Sequence, residues 1–158
     1  MVNNVPSSQR VSENYAAVKI AILAPRWLQE ALSILLLSED SFMLVANTRN
    51  EDVLFSLPVP QSPDIIVIDA DRRLNKAVEQ VTRIKAKLLS ANYILLVDQT
   101  SQYSPLTEAG ADAVILKGSP PSHILEMIKQ VAEKRRIQAK EKNKSHIDSL
   151  PRKTDSEA

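Results

Sequence analysis

The stretch Pro63-Asp64-Ile65-Ile66-Val67-Ile68-Asp69 decides the fold. Its apolar run shows no polar alternation, which marks a parallel strand buried on both faces, and it closes on a carboxylate. Doubly wound α/β proteins place their chemistry at such an end, because the ligand crevice lies beyond the carboxyl ends of the strands.

Working outward, Val18 to Leu23 reads as a first strand, and Met43 to Ala46 as a second. Ile94 to Val97 and Ala113 to Leu116 read as the fourth and fifth. Between them, Trp27 to Leu37 carries apolar residues at 27, 28, 31, 32, 35 and 36, which is helical spacing. On that face Trp27 is expected in the core. Glu51 to Leu57 predicts a short helix stopped by Pro58 and Pro60. Leu74, Ala77, Val78, Val81, Ile84 and Leu88 mark one face of a long helix. Pro105 to Ala109 permits a turn or two, with Gly110 suited to the left-handed position that ends a helix. Pro121 to Ala132 supplies the last core helix. Strands alternating with helices predict an α/β fold, a doubly wound five-stranded parallel sheet covered on both faces.

Three segments follow: a flexible leader over 1–17, a globular domain over 18–136, and a polar, partly basic tail over 137–158 expected to be disordered. Residues 133–144 hold six Lys or Arg against two Glu, a run read as a solvated helix extension or frayed tail. The residues after Arg136 are too few for a helix-turn-helix domain and lack its apolar periodicity. A net charge of +1 argues against a whole-surface polyanion binder, so nucleic acid is not expected as a partner. The absence of cysteine excludes disulfides, thiolate zinc sites and cysteine nucleophiles. The two glycines, Gly110 and Gly118, exclude a Gly-rich phosphate loop or dinucleotide turn. With two histidines, His123 and His146, and no nucleophile-elbow glycines, no hydrolytic triad can be built. No apolar run has the length of a membrane span, and the amino-terminal residues lack a signal-peptide core. A cytoplasmic protein without enzymatic activity is expected.

From 18 to 136 the chain resembles the receiver domain of two-component response regulators, of the type usually joined to a LuxR-like helix-turn-helix output domain. The motifs that carry the resemblance are Pro63 to Asp69, and Ala109-Gly110-Ala111-Asp112-Ala113-Val114-Ile115-Leu116-Lys117 with Ser119-Pro120. Gln29-Glu30-Ala31-Leu32 adds weaker support. The resemblance implies a (βα)5 flavodoxin/CheY-like fold with strand order 2-1-3-4-5. It implies Asp69 at the phosphoacceptor position and Lys117 as the lysine that binds phosphoryl oxygens. Receivers also hold a divalent cation through acidic residues after the first strand. Here those positions fall on Ala24 and Pro25, with Arg26 next, and none supplies a carboxylate. Magnesium prefers an octahedral shell of oxygen ligands. No metal and no cofactor are therefore expected, magnesium entering only if Asp69 is a working acceptor.

Other positions depart from the family as well. The Thr or Ser that ends the fourth strand and bonds the phosphoryl group aligns with Asp98, whose charge would repel it. Thr100 would compensate only after rearrangement of the loop. The switch aromatic is Val114, and the segment from Asp98 to Gly110 is short, which predicts a truncated fourth helix.

The reading that follows is a degenerate pseudo-receiver in signal transduction, acting by phosphorylation-independent protein–protein interaction. In it Asp69 is a vestigial carboxylate paired with Lys117, and Arg26, Arg72 or Arg73 fills the cation's place. The alternative is a phospho-accepting single-domain regulator that uses Asp69 in a phosphorelay, or a cation held differently by Asp69, Asp71 and Asp98. A nucleotide-binding crevice is a third reading. The implied partners are proteins, a histidine kinase or downstream regulator among them, and a second copy pairing through the last strand–helix edge.

Overall fold

Every strand among the described residues runs parallel, and the reason lies in the side chains. In the computed structural model, which describes residues 17–149, β1 (Val18–Leu23), β2 (Phe42–Thr48), β3 (Ile65–Asp69), β4 (Asn92–Val97) and β5 (Ala113–Leu116) form one sheet. Its order is β2-β1-β3-β4-β5, so the sheet is the doubly wound, flavodoxin/CheY-like arrangement. Successive residues of each central strand point to opposite faces. Ile65, Val67, Ile94 and Leu96 enter one apolar layer, and Ile66, Ile68, Tyr93 and Leu95 enter the other. All eight are fully buried, which is why these strands carry no polar alternation.

The first layer is closed by α1 (Arg26–Leu37) through Leu28, Leu32 and Leu36, and by α5 (Pro121–Ser149) through Ile124, Ile128 and Val131. The second is closed by α2 (Glu51–Phe55), α3 (Leu74–Lys87) and α4 (Tyr103–Glu108), with Leu54, Val81, Ile84 and Leu106 fully or almost fully buried. Asn50 caps α2 by accepting the Asp52 N–H at 2.9 Å. Six residues are all that α4 retains. It ends in a Schellman motif: Ala111 N–H bonds Leu106 O, Gly110 N–H bonds Thr107 O, and Gly110 takes φ +114°. Tyr93 fixes the end of α3 by donating its hydroxyl to Leu88 O at 2.5 Å. Burial, with Asp112 nearby, pushes that phenol's pKa up to about 12.

Two expectations fail. Trp27 is not core but 63% exposed, because the buried line of α1 runs through 28, 32 and 36, a third of a turn away. The disorder expected from residue 137 is not found as far as Ser149, where the chain is the helix extension that the charged run also allowed, continuous with α5. Its Glu, Lys, Arg, Gln and Ala residues are strong helix formers. Arg136 is bonded to Glu133 one turn back, and Arg135 ties the helix to the sheet. Arg135 reaches Ser90 O at 2.6 Å, Asn92 Oδ1 at 2.9 Å and Asp64 Oδ1 at 3.3 Å. Asp64 Oδ2 in turn accepts the Lys19 N–H at 2.9 Å. The readings of 1–16 and 150–158 lie outside the described residues. Among the described residues no helix is long and apolar enough to cross a membrane.

Candidate functional site

The strand order reverses between β1 and β3, and the crevice that this opens lies beyond their carboxyl ends. β3 delivers Asp69 there. Register places Leu23 opposite Ile68 and Asp69 opposite Leu96, so the residue facing Asp69 from β1 is Ala24. Lys117 follows β5 and is held by its N–H to Val97 O at 2.9 Å. Its ammonium contacts Asp69 Oδ1, both side chains being only 18% exposed. Asp69 Oδ1 is buried and lies off the line of a hydrogen bond, so the contact is an ion pair. The same Nζ donates to Asp98 Oδ2 at 3.3 Å, and Arg72 Nε reaches that oxygen at 3.0 Å. The result is a chain of alternating charge, Asp69–Lys117–Asp98–Arg72. Burial works to raise the Asp98 carboxyl, but the bonds from Arg72 and Lys117 outweigh it and hold its pKa below the ordinary value.

The divalent cation implied by the resemblance does not fit this donor set. Ala24 is buried, its N–H bonded to Thr48 O and its carbonyl taking Gln29 Nε2 at 2.7 Å. Pro25 is the residue before the first turn of α1 and carries no side-chain oxygen. Asp98 is already shared by two cations. Asp71 accepts the Arg73 guanidinium at 3.1 Å, and that hydrogen bond holds its carboxyl below the usual range. Among the described residues no group of three His, Cys, Asp or Glu could hold a metal ion.

Of the three arginines proposed for the cation's place, Arg26 is excluded by its position. Its side chain is 86% exposed and lies 3.5 Å from Glu30 on the outer face of α1. Arg73 is spent on Asp71, and Arg72 alone joins the site, through Asp98. Thr100 sits exposed at the start of a 3-10 turn (Thr100–Gln102) and, among the described residues, bonds nothing at the site. Val114 packs half-buried on the second apolar layer. His123 and His146 are exposed.

Gln102 was not legible beforehand. Among the described residues it is the one buried polar side chain, 4% exposed, and its Nε2 donates to Asp71 O at 3.1 Å. Its Oε1 accepts the Gln99 N–H at 3.3 Å. One amide thus ties the loop after β4 to the loop after β3, the two loops that carry Asp98 and Asp71. A polar cleft of about 460 Å³ opens beside Asp69 on the α3 side, lined by Asp71, Lys76, Glu79, Gln80 and Arg83.

The chain folds as response-regulator receiver (CheY-like) domains do, with a parallel sheet of this order, an aspartate closing β3 and a lysine following β5. No family model matches it. The chain is 28% identical over 97 residues to the nitrate/nitrite response regulator protein homolog of Haemophilus influenzae, a match covering 60% of this chain and 47% of that protein. It therefore spans about half the length of that curated relative. In fold it is similar to the receiver domain of RcsB from Salmonella enterica serovar Typhimurium, solved with the phosphomimetic BeF3-. There the TM-score is 0.65 and the identity 11%, over 74% of this chain and 89% of that one. It is similar also to the receiver domain of the response regulator NarL from Mycobacterium tuberculosis, with TM-score 0.62 and 17% identity over 74% and 97%.

Proposed function

We propose that this receiver domain is a pseudo-receiver: it acts in cytoplasmic, two-component-type signal transduction by binding a protein partner, without aspartyl phosphorylation, cofactor or enzymatic activity. One observation carries the reading. The Lys117 ammonium is held between Asp69 and Asp98 while β1 offers Asp69 only Ala24 and Pro25. Phosphoryl transfer sets an anionic carboxylate against an anionic donor and requires cations in place to neutralise the developing charge. Here the lysine is taken up by two carboxylates, and Asp98 adds negative charge where a hydroxyl donor would be needed. The Gln102 tie holds the two loops in one arrangement. A partner, a histidine kinase or downstream regulator or a second copy of the chain, would select that arrangement through its differential affinity for it.

The test is incubation with a small phosphodonor and magnesium, read by intact mass. No phosphoryl adduct is expected. A magnesium-dependent adduct that disappears in Asp69→Asn would overturn the reading. It would favour the second one, a phospho-accepting regulator, which draws on the contact between Asp69 and Lys117 and on the likeness to a receiver solved with a phosphomimetic.

A further inference from the structure

α1 carries two apolar faces, and the sheet takes only one of them. Leu28, Leu32 and Leu36 are buried in the first apolar layer. On the opposite side Trp27, Ile34 and Leu37 are 63%, 76% and 64% exposed, and Ala31 is exposed between them. Steps of four, three and three residues keep these side chains on one face, which runs about 15 Å along the helix. The charged residues of α1 are Arg26 and Glu30, and they are paired with each other. Its last two turns carry no charge. A helix with one apolar face rests on a core, whereas a second apolar face marks a surface to be covered from outside.

The pattern fits a second copy of the same helix laid antiparallel across the first. About a two-fold axis between Leu32 and Ser33, Trp27 comes opposite Ser38 of the other copy, and Ala31 comes opposite its Ile34, so each large side chain meets a small one. The same axis brings Arg26 to the far end of the other helix, where Glu39 and Asp40 follow. Glu39 is held by Lys129 at 2.9 Å, and Asp40 is exposed. A parallel pairing would instead set Arg26 against Arg26 and Asp40 against Asp40, and it would align the helix dipoles unfavourably. We propose that two copies of this chain associate through the outer faces of α1, antiparallel and two-fold symmetric, burying Trp27, Ala31, Ile34 and Leu37 and placing Arg26 beside Asp40 of the other copy at each end. This surface is separate from the strand-end site and from the β5–α5 edge, and its use does not depend on whether Asp69 accepts a phosphoryl group. One helix face from each copy buries less than about 1,200 Å² in total, the range of weak and transient association. The charges at its ends set orientation more than affinity.

Sedimentation equilibrium of the full-length chain tests this. The mass should climb from one chain toward two as concentration rises from about 5 to about 500 μM, as a small interface requires. Ile34→Asp should keep the protein monomeric over that range, with its melt at low concentration unchanged, because the side chain it replaces is exposed. Arg26→Asp should weaken association about fivefold or more, and adding Asp40→Arg to it should restore the parent behaviour. Dimers that survive Ile34→Asp would overturn the proposal and move the contact to another face, the β5–α5 edge included. A parent that stays monomeric at every concentration would overturn it too. So would a charge swap that fails to rescue Arg26→Asp, since only the antiparallel pairing brings those two residues together.

Discussion

The two ends of the sheet are both held by buried or half-buried ions, and they use them differently. At the amino edge one guanidinium, Arg135, meets a backbone carbonyl, an amide oxygen and the carboxylate of Asp64, joining α5 to the starts of β3 and β4. Both terminal nitrogens of that guanidinium are bonded, at 2.6 to 3.3 Å, to oxygens that carry at most one charge between them. At the carboxyl edge one ammonium, Lys117, stands between two carboxylates, and a buried oxygen of Asp69 has no aligned hydrogen bond. The first is a joint between elements of structure. The second is a cluster at the strand ends in which the charges of Asp69, Lys117, Asp98 and Arg72 offset one another.

If that contrast is right, removing the central cation should cost most at the carboxyl edge. Lys117→Met strands Asp69 beside a hydrophobic chain and leaves Asp98 with Arg72 alone. Breaking a buried pair by removing one partner is strongly destabilising, and with both groups slightly exposed a loss of about 2–3 kcal/mol is expected. Urea unfolding measures it. Asp69→Asn in the Lys117→Met background should recover much of the loss, since the stranded charge is then gone. Failure of the second substitution to rescue the first would show that the pair is not the source of the effect.

Arg135→Met should cost less, about 1–2 kcal/mol, because Ser90 O and Asn92 sit near solvent while Asp64 keeps the Lys19 N–H. Its signature is local: lower helicity by circular dichroism, as the far half of α5 frays. The two sites lie at opposite ends of β3, roughly 17 Å apart for a five-residue strand. Their effects should add within about 0.5 kcal/mol in the double variant. A larger coupling would mean that the two edges communicate through the sheet.

How legible these two edges were differs as well. β3 and β4 were readable because uninterrupted apolar runs have one explanation in a domain of this size, burial on both faces. Asp69 followed from where its strand ends, whereas Lys117 and the lack of a carboxylate at Ala24 and Pro25 were legible only through the resemblance to receiver domains. The Arg135–Asp64 joint was not readable, although Asp64 stood in the decisive stretch, because its partner is 71 residues away and the basic run around Arg135 looks like any solvated tail. Gln102 was hidden for a similar reason: nothing local distinguishes a buried glutamine from an exposed one. Trp27 misled because helical spacing gives an apolar face a width but not an edge.

Protonation sharpens the comparison in a further way. The pKa of Asp98 is lower folded than unfolded, so its bonds to Arg72 and Lys117 contribute stability that is present above the ordinary carboxylate pKa. That contribution is lost as pH falls through the folded value. Thermal melts of the parent and of Asp98→Asn should therefore differ most at neutral pH and converge on acidification below about pH 4. A gap that persists at low pH would mean that Asp98 acts through shape rather than charge.

The smallest effect is expected at the residue that stands nearest in sequence to the missing acids. Arg26 follows Ala24-Pro25, and its charge would matter greatly if it entered the crevice. Instead it lies on the outer face of α1, 86% exposed, beside a Glu30 that is itself 69% exposed. Exposed i,i+4 pairs contribute about 0.3–0.5 kcal/mol, diminished further by salt. Arg26→Ala should therefore leave unfolding within about 0.5 kcal/mol of the parent, and it should not change the effect of Lys117→Met. Coupling between those two substitutions would place the guanidinium in the crevice in solution, where it would act as a second cation for Asp69.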